Sequence, residues 1–249
     1  MIQSLNKIVS KKQITQNCYD FLVFAPEMAN QAKPGQFAHI MVEGFTLRRP
    51  ISICEVKNSC LRFVFEVRGK GTDALSKIND EIDIIAPLGS GFTLLPKHKK
   101  AILIGGGIGT PPMLELAKYY GNNSKAIIGF RNKDIVILED DFKSYTNNVC
   151  VCTDDGSKGR KGFVTDELID SINNEKPDII YACGPKVMLK AICDIAHKNN
   201  IECEISLEER MGCGVGACLV CACKLSDDRG YAHVCKTGPV FNSKDVDLD

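Results

Sequence analysis

Residues 210–225 read RMGCGVGACLVCACKL, with four cysteines and three glycines in sixteen positions, and a fifth cysteine, Cys235, follows. Thiols at this density pair as disulfides, clamp a zinc ion or cradle an iron–sulfur cluster. Cys213, Cys218 and Cys221 are separated by four and then two residues, and Cys235 comes after thirteen more. That C-x4-C-x2-C run with a distant fourth cysteine is the plant-type spacing for a 2Fe–2S cluster. Two irons side by side need a loop that curls around them with its thiolates inward. Gly212, Gly214 and Gly216 remove Cβ atoms where backbone approaches the sulfides and takes unusual φ/ψ values. Zinc prefers C-x2-C paired with a second such unit or with histidines, and Cys235 would need His233 beside it as a substitute. Disulfides belong to oxidising compartments. Cys223, two residues after Cys221, reads as a packed core thiol, with a ligand swap against Cys221 as the alternative.

Two further regions carry chemistry. In LRRPISIC (47–54), the run Arg49, Pro50, Ile51, Ser52 sets an always-charged guanidinium fork suited to a diphosphate three residues before a hydroxyl. Alone, this is as well read as a strand with a solvated arginine pair. It gains weight from VRGKGTDALS (67–76), where Gly71, Thr72 and a helix N-terminus form a second anion site. LIGGGIGTPPM (103–113) reads as strand, glycine-rich turn and helix start, whose N–H groups suit a pyrophosphate. It lacks the G-x-G-x-x-G spacing at the helix entrance, which disfavours an ordinary Rossmann dehydrogenase. YACGPKVM (181–188) supplies a second strand-to-helix turn, and ligands of such sheets lie at the strands' carboxyl ends.

These residues need a scaffold. FLVFAP, FAHIMVE, ISICEV, CLRFVFEV and EIDIIAPLG are short β-rich runs broken by turn signals, so residues 1–97 are expected to form a small antiparallel barrel of about six strands. One helix is expected from Thr72 to Ile78, capped by Thr72 or Asp73. Strands then alternate with helices: AILIGGG, AIIGF, VCVCTDD and DIIYACG are strands, and helices fall at PPMLELAKYY, Val164–Ile172 and Lys186–Lys198. The last places Met188, Ile192 and Ile195 on one face. This pattern predicts a parallel sheet over 98–204. The remainder, 205–249, is too small for its own core and is expected to depend on a metal centre or a partner.

Composition excludes some classes. In 249 residues, Lys+Arg and Asp+Glu balance at 31 each, so no global basic field points to nucleic acid. No apolar run is long enough to span a bilayer and the N-terminus lacks an apolar signal core, so a cytoplasmic location is expected. Thirteen cysteines is a high count, but those in apolar runs (Cys150, Cys152, Cys183) read as small buried hydrophobes of a reducing compartment.

An R-x-x-S motif on a barrel, a glycine-rich turn and a later C-G-P resemble the ferredoxin–NADP reductase superfamily. EISLEERMGCGVGACLVCACK followed by HVCKTGPVF is similar to the electron-transfer subunits of the NAD-linked dihydroorotate dehydrogenase B family, and the similarity spans essentially the whole chain in order. The resemblance implies FAD held by Arg49, Pro50, Ile51 and Ser52, with Val67, Arg68, Gly71 and Thr72 near its ribityl and phosphate parts. It implies NAD on Gly105, Gly106, Gly107, Gly109 and Thr110 and near Cys183, Gly184 and Pro185, and a 2Fe–2S cluster on Cys213, Cys218, Cys221 and Cys235. It also implies a separate FMN-containing catalytic subunit, two copies of each chain, and electrons passing from FMN through the cluster and FAD to NAD+ in pyrimidine biosynthesis. No acid–base residue is assigned, Glu208 and Glu209 reading as a solvated strand end. The loop GFRNKD, with Arg131 and Lys133 beside Asp134, does not choose between NAD and NADP; NAD comes from the resemblance. The alternatives are a flavin subunit of a sulfhydrogenase or ferredoxin–NADP oxidoreductase, and a zinc-stabilised interaction module without redox activity.

Overall fold

A computed structural model describes residues 1–227 and 229–248. The first half is a closed barrel of β1 (Ile2–Gln13), β2 (Cys18–Phe24), β3 (Phe37–Ile40), β4 (Arg49–Lys57), β5 (Cys60–Glu66) and β6 (Glu81–Leu88), ordered β1-β2-β5-β4-β3-β6. A short α1 (Pro26–Ala29) follows β2. Strand alternation sends Phe21, Val23, Ala38, Ile40, Ile53, Phe63, Ile82 and Ile84 into one barrel core. The longest barrel strand, β1, is absent from the sequence reading because most of it is exposed, Leu5 and Val9 included, and only Asn6 and Ile8 are buried, so no apolar run marks it. It closes the barrel by pairing with both β2 and β6.

The helix expected from Thr72 begins earlier, as α2 (Lys70–Lys77), and Gly69 rather than Thr72 or Asp73 is its N-cap. Thr72 serves as the third helical residue: its hydroxyl accepts from the Arg68 and Gly69 amides (2.9 and 3.3 Å) and donates back to the Gly69 carbonyl (3.1 Å). Such a reach-back satisfies amides that a helix start leaves open.

The second half is a seven-stranded sheet. Its strands are β7 (Ala101–Gly106), β8 (Ser124–Phe130), β9 (Val149–Thr153), β10 (Arg160–Lys161), β11 (Ile179–Cys183) and β12 (Glu202–Ser206), parallel to one another, and β15 below. Helices α3 (Leu114–Tyr120), α4 (Glu139–Tyr145), α5 (Val164–Asn174) and α6 (Lys186–Lys198) make the crossovers. The prolines of PPM form a 3-10 turn before α3 rather than its first α turn. On α6, Ile192 is buried together with Leu189, Cys193 and Ala196, while Met188 and Ile195 flank that face. The sheet order is β10-β9-β8-β7-β11-β12-β15. The chain runs outward from β7 to β10 and then returns to β7's other side, so the topological switch point lies between β7 and β11.

The C-terminal segment does not stand apart. Strand β12 continues through position 205, where the last region was expected to begin. After β13 (Ala222–Lys224) and β14 (Tyr231–His233) pair as a hairpin, β15 (Val240–Asn242) joins the large sheet antiparallel to β12. Cys221, Cys223, Val234, Cys235, Phe241 and Val246 pack into the same core as Ile205, Ile180 and Phe37. The Ser90 amide and hydroxyl, just past β6, donate to the Gly238 and Thr237 carbonyls (2.6 and 2.8 Å). The tail's apolar residues thus borrow a core from both halves, a solution that composition alone does not reveal.

Candidate functional site

On β4 the four residues Arg49, Pro50, Ile51 and Ser52 form a half-buried run immediately before three buried ones. Arg49 and Arg48 have different fates. Arg48 is bidentate to Asp83 (3.0 and 2.8 Å), fastening β4 to β6. Arg49 makes no ion pair among the described residues; it stacks over Phe45 (4.7 Å to the ring centroid) and donates to the Leu47 carbonyl (2.6 Å). Its guanidinium lies across the start of α2, where a Cβ on Gly71 would stand 1.9 Å from Arg49 Nε. A cation without a carboxylate, beside a helix N-terminus that only glycine can leave open, suits a diphosphate. The other proposed contacts diverge: Arg68 is held by Glu66 (2.7 Å) and by exposed Glu208 (3.4 Å), and Thr72 is used by its own turn. Val67 is half-buried, its amide bonded to the Asn17 carbonyl (2.8 Å).

The two nucleotide segments, distant in sequence, are brought together. Parallel pairing aligns Cys183 at the end of β11 with Gly105 near the end of β7. A Cβ on Gly109 would lie 2.4 Å from the Cys183 carbonyl oxygen, and Gly184, at φ +158°, approaches the Gly106 Cα. The turns abut at the strands' carboxyl ends at the switch point, where ligands of open α/β sheets bind. Gly107, at φ +54°, faces open space. Thr110 is fully buried and its hydroxyl has no partner. A buried hydroxyl left unpaired costs about 1–3 kcal/mol, so this orphan suits a cradle completed by a polar ligand. Burial pushes the Cys183 thiol up to about 12, consistent with a packed thiol.

In the cysteine loop Gly214 and Gly216 take positive φ (+72° and +79°), as the spacing implies. Gly212 does not; a Cβ there would sit 3.3 Å from Cys218 Sγ, so its role is close approach to the sulfur. The amides of Val215, Ala217 and Cys218 point at Cys213 Sγ (3.5, 3.2 and 3.4 Å), and that of Gly216 at Cys235 Sγ (3.1 Å). Burial works against ionisation of Cys213, but these amides outweigh it and bring the thiol down to about 6. The thiols meet in two pairs, Cys213 with Cys218 and Cys221 with Cys235. Among the described residues no three His, Cys, Asp or Glu side chains converge on one ion. Two pairs, amide-solvated, fit a two-iron cluster with two thiolates per iron better than a single tetrahedral zinc. Cys223 is buried in β13 opposite Ala232 and packs into the core.

The sequence reading missed His39. It is 1% exposed on β3, and neither ring nitrogen has a hydrogen-bond partner. Burial, helped by the Arg48 guanidinium, lowers its pKa to about 4, so the ring is neutral. The only sequence signal was a histidine within the apolar run FAHIMVE.

Barrel with an R-x-x-S strand, switch-point glycine turns and a four-cysteine loop define an oxidoreductase built on the ferredoxin–NADP reductase fold. Residues 208–247 match the iron–sulfur cluster binding domain of dihydroorotate dehydrogenase B, and residues 103–194 match the oxidoreductase NAD-binding domain. The chain is 42% identical to the dihydroorotate dehydrogenase B (NAD(+)) electron transfer subunit of Bacillus mycoides, covering all of both chains. It is 39% identical to the subunit of the same name from Clostridium perfringens, covering 97% of each. The chain belongs to the family of dihydroorotate dehydrogenase B electron transfer subunits. A solved NADH-dependent reduced ferredoxin–NADP oxidoreductase superposes at TM-score 0.87 with 34% identity, covering 99% of this chain and 91% of that one. Phthalate dioxygenase reductase shares the fold at TM-score 0.65 and 18% identity, covering 94% of each. Among the described residues no helix is long and apolar enough to cross a membrane.

Proposed function

We propose that this chain carries electrons from an FMN-containing dihydroorotate dehydrogenase catalytic subunit to NAD+, as the electron-transfer subunit of a heterotetramer with two copies of each chain. The observation that carries the reading is the cysteine loop: its thiols stand in two pairs, and its Gly214 lies against His39 on β3, the strand paired to the Arg49–Ser52 motif. When bound, the 2Fe–2S cluster exchanges single electrons and FAD couples them to hydride transfer with the nicotinamide. The chain's own residues bind, orient and exclude water. Cys213, Cys218, Cys221 and Cys235 hold the irons, and the loop amides stabilise the thiolate charge. Arg49 and the α2 start neutralise the FAD diphosphate, with Pro50, Ile51 and Ser52 along the flavin and Val67, Arg68, Gly71 and Thr72 shaping the phosphate end. Gly105, Gly106, Gly107, Gly109 and Thr110 receive the NAD pyrophosphate, and Cys183, Gly184 and Pro185 border the nicotinamide. No side chain needs to act as acid or base, because the protein sets distance and potential.

Support for the partner comes from exposed apolar residues beside two of the proposed ligands: Leu219 and Val220, between Cys218 and Cys221, are 77% and 57% exposed. An exposed apolar edge at a cluster suits a docked chain that must bring its own flavin within electron-transfer distance. The first test is the visible spectrum of anaerobically purified protein before and after NADH. Flavin bands with broad long-wavelength absorbance, bleaching together, are expected; a colourless protein overturns the reading. The second reading, favoured by the 34% identical oxidoreductase, is a flavin subunit serving another redox partner. Strong preference for NADPH, with no co-elution with the catalytic subunit after co-expression, would select it.

A further inference from the structure

His39 is the one buried imidazole that binding of FAD and NAD by the motif residues leaves unexplained. On β3 the chain alternates: Ala38 and Ile40 enter the barrel core, so Phe37 and His39 face outward, and Phe37 already belongs to the core shared with the tail. Register pairs His39 with Pro50 and Phe37 with Ser52, so the imidazole shares a sheet face with two residues of the R-x-x-S motif. On its other side is the cysteine loop: a Cβ on Gly214 would fall 2.3 Å from His39 Nδ1, and the backbone of Cys213 is the polar group facing the ring. A fully buried ring with two unpartnered nitrogens is costly unless it serves a contact. Apolar residues would fill the same space without that cost.

We propose that His39 is a positioning residue for electron transfer: once the cluster is loaded, its imidazole donates to the backbone of the Cys213–Gly214 turn already packed against it and fixes the cluster loop against the flavin-bearing strands. The second nitrogen is left for a group completed by the bound cofactors. The inference rests on the redox reading above. Its consequence runs through Cys213. Three loop amides are aimed at that sulfur, and hydrogen bonds to cluster sulfurs raise the reduction potential. Loosening the turn from His39 withdraws some of these donors and lowers the potential.

The test uses the full chain, loaded anaerobically with FAD and cluster, as wild type, His39→Leu and His39→Gln. The readouts are the EPR spectrum and midpoint potential of the reduced cluster, FAD content, and the rate at which NADH reduces the cluster in a stopped-flow instrument. His39→Leu is expected to keep FAD, shift the EPR signal, lower the midpoint potential and slow cluster reduction at least fivefold. His39→Gln, which keeps an amide donor, is expected to recover most of the potential and rate. A packing role would not distinguish leucine from glutamine in this direction. An unchanged EPR signal and potential in His39→Leu overturn the inference while leaving the electron-transfer reading intact. Should His39→Leu fail to load its cluster, Gly214→Ala decides, because its Cβ pushes the turn off the intact imidazole: a lowered potential supports the proposal and an unchanged one overturns it. Wild-type protein with flavin but no 2Fe–2S signal overturns both readings.

Discussion

Cys221 and Cys223 sit two positions apart and are both buried, yet the proposed cluster site uses only the first. Within the core they share, Cys221 Sγ accepts from the Cys235 amide (3.5 Å) and meets the Cys235 thiol, whereas Cys223 is paired through its backbone to Ala232. Burial raises the Cys223 thiol, outweighing the backbone hydrogen bonds from Ala232 and from Cys223 itself that favour the thiolate. Cys221→Ser is therefore expected to abolish the long-wavelength absorbance. Cys223→Ser is expected to leave that spectrum intact and to cost about 1–2 kcal/mol of stability, because a hydroxyl is harder to bury than a thiol. Thermal melts and visible spectra of the two variants separate the roles. A lost cluster in Cys223→Ser with Cys221→Ser unaffected would exchange the ligand assignment.

At the scale of elements, the two halves are joined by ion pairs rather than by core alone. Arg62 on β5 reaches Asp20 on β2 (2.8 Å), Glu55 on β4 (3.2 Å) and Asp141 on α4 (2.5 Å), so one guanidinium ties three barrel strands to a helix of the parallel sheet. Tyr145 at the end of α4 also meets Glu55, and Glu115 of α3 accepts from the Val56 amide (2.8 Å). Arg62→Met leaves the partly or fully buried carboxylates of Asp20, Glu55 and Asp141 facing one another with only the more distant Lys118, 3.9 Å from Glu55, as counter-charge. It is expected to destabilise the protein by about 3–5 kcal/mol in chemical denaturation, whereas surface pairs such as Lys77–Asp73 contribute below about 1 kcal/mol. A loss below 1 kcal/mol would show that the halves are held by apolar packing. None of this network was legible in the sequence, because its members are scattered from position 20 to 145 and each alone reads as a solvated charge. Legible elements were those with a period or a punctuation mark: Val- and Ile-rich strands, the glycine turns, and the amphipathic α6. The largely exposed β1, the Gly69 cap and β15 were not, because pairing partners distant in sequence define them. The site divides likewise: the cysteine spacing and the two abutting turns were readable as motifs, while His39 has meaning only through what lies on either side of it.

For the whole molecule, the barrel motif, the switch-point turns and the cysteine loop occupy one continuous body, because the tail is stitched to β12 by β15 and to the end of β6 by Ser90. That arrangement buries Cys221 and Cys235 (1% and 2% exposed) while Cys213 and Cys218 stay half-exposed. Leu219 and Val220, exposed next to Cys218, form the apolar edge proposed above for the partner, while the Cys213–Gly214 turn packs inward onto His39 of β3. Replacing Leu219 and Val220 together by glutamate puts two charges on that apolar edge without touching a thiol or a core residue. The variant is expected to keep its FAD and cluster spectra and its NADH-driven bleaching, and to lose co-elution with the catalytic subunit, weakening association at least tenfold, about 1.4 kcal/mol. Dihydroorotate-dependent reduction of NAD+ by the mixed chains should fall in parallel, while NADH oxidation by this chain with an artificial acceptor stays unchanged. Full co-elution of the variant would move the docking surface elsewhere on the molecule, with the exposed strip of Leu5 and Val9 on β1 the next place to substitute.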